Sequence, residues 1–245
     1  IKGDGRASAA AVRPLYRHLD QIFDRSPSGV RDAFQEHALV LTRSTETPWR
    51  SPDEVVWSSP GEFLNTHYPA LNSQYADSHS FFVRKLGVPQ EVSVAAAVRA
   101  LPSLAASGLT TDAQASEALR IYIRANRELA SPHASATPAW LINFKTRSVY
   151  LNHRGEMVAQ DGTLYADDQP ATSALFAEQA DISFLAVPPA RLPQIKVLLE
   201  AAEVPLLSES VSISLQEPGA GCQNNTLTTR IRERYRYIAR LVYAQ

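Results

Sequence analysis

The sequence predicts an α+β fold: two related strand–loop–helix units with a C-terminal amphipathic helix, and short strands covered by helices. Three observations predict it. Apolar residues recur at helical spacing in several stretches, and compact apolar runs between polar flanks read as short strands. The third is an echo: "WRSPDEVVW" (49–57) has a counterpart in "MVAQDGTLY" (157–165).

The elements follow in chain order. "AAVRPLYRHLDQIF" sets Leu15, Leu19, Ile22 and Phe23 at helical spacing, with Pro14 placed in a first turn. "VRDAF" reads as a short second helix and "ALVLT" (38–42) as a buried strand. Residues 43–80 are rich in Pro, Ser, Asn and Asp, hence mostly turns. "EVSVAAAVRAL" puts Val94, Val98 and Leu101 on one helical face. "TTDAQASEALRIYIRANRELA" is the clearest helix of the first half, with Thr111 and Gln114 as a capping box and Leu119, Tyr122 and Leu129 along one stripe.

The Pro/Ser/Ala stretch 131–138 is the predicted internal boundary, which divides the chain into 1–130 and 131–245 or marks a loop within one continuous domain. Beyond it, "WLINF" and "SVYLN" read as strands, with "NHRG" as a hairpin turn. "PPARLPQIKVLLEAAEV" reads as a helix with Leu192, Ile195, Leu198 and Leu199 inward. "SVSISL" alternates like a half-exposed strand, and "TLTTRIRERYRYIARLVYAQ" closes the chain as an amphipathic helix.

Bulk properties exclude several classes. At 245 residues the chain can bury a substantial core. A net charge of -1 gives no overall attraction to nucleic acid or anionic membrane. No apolar run approaches the ~20 residues of a membrane span. The single Cys222 excludes an internal disulfide and a Cys-rich zinc site, and suits an intracellular setting in cytoplasm or nucleus. The start has neither an initiator Met nor a signal-peptide core, which predicts a processed product or a piece of something longer.

The echo decides how "WRSPDEVVW" is read. Trp49, Asp53 and Trp57 stand against Met157, Asp161 and Tyr165, with Val56 matched by Leu164. Glu54, however, is matched by Gly162. A catalytic acid pair gains nothing from a counterpart lacking one carboxylate, whereas a turn can use Asp alone. Ser51-Pro52-Asp53-Glu54 also has the form of a capping box with Pro at the first helical position. Trp49, Asp53, Trp57, Asp161 and Tyr165 are therefore read as structural anchors. Further on, Tyr75 is matched with Phe176, and Leu86-Gly87-Val88-Pro89 with Leu185-Ala186-Val187-Pro188. Such units cannot bury their apolar faces singly, so pairing would form the core.

Chemistry-bearing motifs are scarce. The six histidines form no HxxxH, HxH or HExxH pattern, and no nucleophile elbow, P-loop or dinucleotide fingerprint occurs. Asp77-Ser78-His79 groups three catalytic residue types, but adjacent side chains do not converge as a triad must. No catalytic, cofactor-binding or metal residue is assigned, and no cofactor is expected in this chain. Residues 227–245 carry Arg230, Arg232, Arg234, Arg236 and Arg240 against Glu233, a local balance of +4. Arg232, Arg236 and Arg240 line one face and form a candidate phosphate- or partner-binding ridge.

"LYRHLDQIF", "VRDAFQEHALVL", "WRSPDEVVW", "FFVRKLGV", the "NHRGEMV…GTLYADD…LF" segment and the closing "LSESV" followed by an Arg-rich helix resemble large proteins related to sacsin and NO VEIN. In such proteins a GHKL-type ATPase domain lies N-terminal to regions of this sort. Neither its E-x-x-x-N helix nor its D-x-G-x-G loop occurs in these residues. The resemblance implies a non-catalytic structural and interaction module of a chaperone-related protein, with other domains of a larger polypeptide or protein partners as its contacts. Two competing expectations remain: a nucleic-acid-binding module using the Arg ridge, and a hydrolase with a dispersed site. A membrane partner is not expected.

Overall fold

A computed structural model of the chain describes residues 8–44, 47–131, 137–176, 179 and 181–211. The chain divides into Ile1–Ser210 and Val211–Gln245. The first of these is α+β: helices with a few short strands. The predicted strand "SVSISL" beyond Val211 and the closing helix lie outside the described residues.

Helix α1 (Ala9–Ile22) begins at Ser8, whose hydroxyl accepts the Ala11 N–H at 3.3 Å. That cap sets the start early enough to leave Pro14 inside the helix, not in its first turn as the sequence predicts. The face that is buried is also shifted: Val12 and Tyr16 are enclosed, whereas Leu15 and Leu19 are only partly covered. Helix α2 (Pro27–His37) starts on Pro27, which needs no N–H partner there, and ends where Ala38 turns left-handed. Strands β1 (Val40–Leu41) and β2 (Trp49–Arg50) then pair antiparallel, Leu41 opposite Trp49.

Short helices α3 (Glu62–His67) and α4 (Val94–Ala100) lead to the long α5 (Thr111–Leu129). Ser93 caps α4, and Val94, Val98 and Leu101 are all buried. The cap of α5 is Thr110, whose hydroxyl accepts the Ala113 N–H at 3.4 Å. The predicted Thr111–Gln114 box is one residue late: Gln114 is turned inward instead and donates to the Ala105 and Leu109 carbonyls.

"WLINF" is a helix, α6 (Leu141–Thr146), not a strand. Leu141 and Phe144 are buried while Ile142 is 61% exposed, a spacing that suits a helical turn and defeats alternation. Strands β3 (Tyr150–Leu151) and β4 (Met157–Val158) form the expected hairpin, with Gly155 at φ 79 in its turn. Strand β5 (Leu164–Tyr165) pairs in parallel with β6 (Ser183–Phe184), separated by α7 (Pro170–Ser173). A 3-10 segment Pro189–Ile195 runs into α8 (Lys196–Ala201), with Leu192, Ile195, Leu198 and Leu199 buried as expected, and α9 (Leu207–Ser210) follows.

Two apolar clusters result. One gathers Val12, Tyr16, Phe23, Phe34, Leu41, Trp57, Phe81 and Phe82. The other runs from Val56 and Phe63 through Tyr122 and Phe144 to Val204, so it draws residues from both sides of 131–138.

The two hairpin regions share a hydrogen-bond pattern. Tyr16 donates to the Leu39 carbonyl at 2.8 Å and accepts the Leu41 N–H at 2.9 Å. Tyr122, on α5, donates to the Val149 carbonyl at 2.9 Å and accepts the Leu151 N–H at 2.9 Å. Each tyrosine also meets a phenylalanine, Phe34 and Phe144, at ring distances of 6.0 and 6.1 Å.

The return strands match as well. The Leu71 N–H donates to the Val56 carbonyl and the Trp57 N–H to the Pro89 carbonyl, both at 2.9 Å. In the second region the Leu185 N–H donates to the Tyr165 carbonyl and the Ala166 N–H to the Pro205 carbonyl, again at 2.9 Å. By these bonds Tyr165 takes the part of Val56 and Ala166 that of Trp57, one residue off the sequence matching. Val204-Pro205, not Val187-Pro188, takes the part of Val88-Pro89.

Candidate binding groove

The predicted anchors are placed as follows. In "SPDE" the Glu54 carboxylate accepts the Ser51 N–H at 2.9 Å, and the Ser51 hydroxyl lies 2.6 Å from an Asp53 oxygen. Gln35 on α2 donates to that same Asp53 oxygen at 3.0 Å. The Ser51 hydroxyl bond, above all, holds the Asp53 carboxyl below its usual range. Asp161 is exposed and accepts the Thr163 hydroxyl and N–H, which lower its pKa in the same way. Trp57 is buried edge-on to His79 at 4.9 Å, Trp49 packs partly covered on the same cluster, and Tyr165 sits half-buried in β5. Asp53 and Glu54 are thus spent on one turn. Arg232, Arg236 and Arg240 lie outside the described residues.

One pair deserves a catalytic test: Ser103 and His67, 2.9 Å apart. The Ser103 hydroxyl donates to the Ala100 carbonyl at 2.7 Å, so its proton is directed at backbone and not at the imidazole. Burial lowers the His67 pKa, and the nearby Arg50 guanidinium lowers it further. A base that must carry an imidazolium needs a carboxylate beside it, and here the charged neighbour is a cation. The pair acts as a helix-to-helix hydrogen bond.

Concavity appears at α8 and α9. A cavity of about 770 Å³ opens there, floored by Leu192, Leu199, Val204 and Leu206 with Pro189 and Pro193. Asp168, Glu200, Glu203 and Glu209 stand around it with Lys196. In "LLEAAEVPLLSE" (198–209) Leu198, Leu199, Ala202, Val204 and Leu207 turn inward, while Glu200, Glu203 and Glu209 stay exposed. Glu203 itself sits at φ 61, which swings the chain from α8 back toward Val204.

The electrostatics of the rim are uneven. Lys196 lies 3.7 Å from Glu200, and Lys145 reaches Glu203 at 2.5 Å. Burial works to raise the Asp168 pKa, but hydrogen bonds from Ser208 outweigh it and the net shift is downward. Asp168 is therefore ionised at neutral pH. Glu209 has no salt-bridge partner among the described residues. Gln160 donates to the Glu203 carbonyl at 2.7 Å, while its own side-chain oxygen is buried without a partner among the described residues. The groove pairs an apolar floor with an excess of negative charge, and no group of His, Cys, Asp and Glu among the described residues could hold a metal ion.

No protein-family profile matches the chain, and no curated protein or solved structure matches it either.

Sequence reasoning assigned none of the acidic rim. Leu192 and Leu199 are legible as inward residues; the glutamates at 200, 203 and 209 are the signal of a charged edge that sequence reasoning missed. Among the described residues no helix is long and apolar enough to cross a membrane.

Proposed function

We propose that this chain is a non-catalytic structural and interaction module of a large sacsin/NO VEIN-like, chaperone-related protein, coupled to a GHKL-type ATPase domain outside these residues and working in the cytoplasm or nucleus. The groove beside α8 carries this reading. Its apolar floor and charged rim have the make-up of a surface that holds another surface. The two tyrosine-clamped hairpins support a framework role, as two uses of one supersecondary unit, each built into its own apolar cluster. Calorimetric titration of ATP with Mg²⁺ into the isolated chain tests the reading: no binding heat is expected, and micromolar affinity overturns it.

A further inference from the structure

We infer that the groove between α8, α9 and the β4–β5 turn binds a basic amphipathic helix of a protein partner, its apolar face on Leu192, Leu199, Val204 and Leu206 and its cations against Asp168, Glu200 and Glu209. This rests on the interaction-module reading and names the partner class for that same site.

Three observations lead there. The first is size: about 770 Å³ falls within the ~300–1,000 Å³ of pockets that enclose a compact apolar ligand, room for successive anchors of one helical face. The second is charge. Four carboxylates and one ammonium line the cavity. Lys145 reaches Glu203 and Lys196 only flanks an exposed Glu200 at 3.7 Å, while Asp168 and Glu209 have no ion pair among the described residues, so the rim keeps an excess of negative charge at Asp168, Glu200 and Glu209. The third is the mode of docking. Every ladder among the described strands is two residues long, so strand addition finds little edge to extend, whereas an apolar floor with a charged rim matches the groove that takes the apolar face of an amphipathic helix.

The division of labour follows from exposure. The Glu200 side chain is 63% exposed, so its ion pairs are screened and individually weak. The apolar floor supplies most of the affinity, while the acids together add to it and supply rate, orientation and choice of partner, so that reversing their charge repels a basic partner. Arginine meets such carboxylates better than lysine, through paired N–H donors.

The experiment uses the full chain and a fluorescein-labelled peptide with Leu on one helical face and Arg on the other, followed by fluorescence anisotropy. Saturable binding that weakens with salt is expected. The Glu200→Lys/Glu209→Lys double variant, both sites being exposed, should lose at least tenfold in affinity with an unchanged thermal melt, and an Arg→Glu peptide should not bind. Equal binding of a Leu→Ser peptide would mean a purely electrostatic contact and overturns the inference. So does binding indifferent to the double variant, or sedimentation showing that a second copy of the chain takes the groove. Peptide failure with ATP still silent removes this assignment alone, whereas ATP binding removes the reading beneath it.

Discussion

The two hairpin regions meet one backbone requirement in two different surroundings. Around Tyr16 the clamp is backed by a polar network: Tyr75 donates to the Leu41 carbonyl at 2.9 Å, and Gln74 donates to the Tyr75 hydroxyl at 2.9 Å. Arg13 in turn holds the Gln74 carbonyl at 2.6 Å. Burial pushes the Tyr75 hydroxyl up to about 12 and Tyr16 further still. Around Tyr122 the clamp stands alone. Its neighbour Tyr150 is buried with a hydroxyl that has no hydrogen-bond partner among the described residues, and burial raises the pKa of both tyrosines. A hydrogen-bond skeleton can thus persist while its lining passes from polar to dry, because the skeleton asks only for one hydroxyl between a carbonyl and an N–H.

Removing the rings under the clamps should have the largest effect. Phe34→Ala and Phe144→Ala each leave a cavity at a buried site and should each cost about 3–5 kcal/mol in denaturant unfolding. A negligible loss at one of them would break the correspondence between the regions.

Next come the hydroxyls. Tyr122→Phe orphans the Val149 carbonyl and the Leu151 N–H, and should cost about 2–6 kcal/mol given ~1–3 for each unsatisfied buried group. Tyr16→Phe should cost less, since Gln74 and Tyr75 keep polar atoms close by. The reverse order in chemical denaturation would mean that the network is strained and not supportive.

The smallest effect separates two left-handed residues. Gly87 (φ 79) and Glu203 (φ 61) both precede the Val-Pro pair that closes a region. Nothing lies within 4 Å of an added Cβ at Gly87, so Gly87→Ala should cost only the ~1 kcal/mol of left-handed strain. Glu203→Gly should gain a similar amount, less the weak exposed pair with Lys145. Thermal melts of the two variants moving in opposite directions would sharpen the comparison.

Much of this architecture can be read from the residues, and its failures have physical causes. Val40-Leu41 and Tyr150-Leu151 stand out as apolar runs with polar flanks. Trp140, Leu141 and Phe144 fit a strand or a helix equally until packing chooses. The one-residue slip arises because β2 is followed by five steps to Val55 and β4 by six to Leu164, an extra residue hidden inside a turn where the two aspartates can still be aligned. "AVP" (186–188) and "EVP" (203–205) are interchangeable as letters; only the partners of Trp57 and Ala166 separate them. The groove was the least legible feature, since its walls come from segments as far apart as Gln160 and Glu209.

The brevity of the strands has one more consequence. Extended pairing is how exposed sheet margins recruit foreign chains into aggregates, and short margins are a recognised defence. With ladders of two residues, and both antiparallel hairpins pinned from inside by a helix-borne phenol, the described strands leave too little unsatisfied backbone to seed such growth. A module that presents a greasy trough to partners can do so without also offering them a template for fibrils.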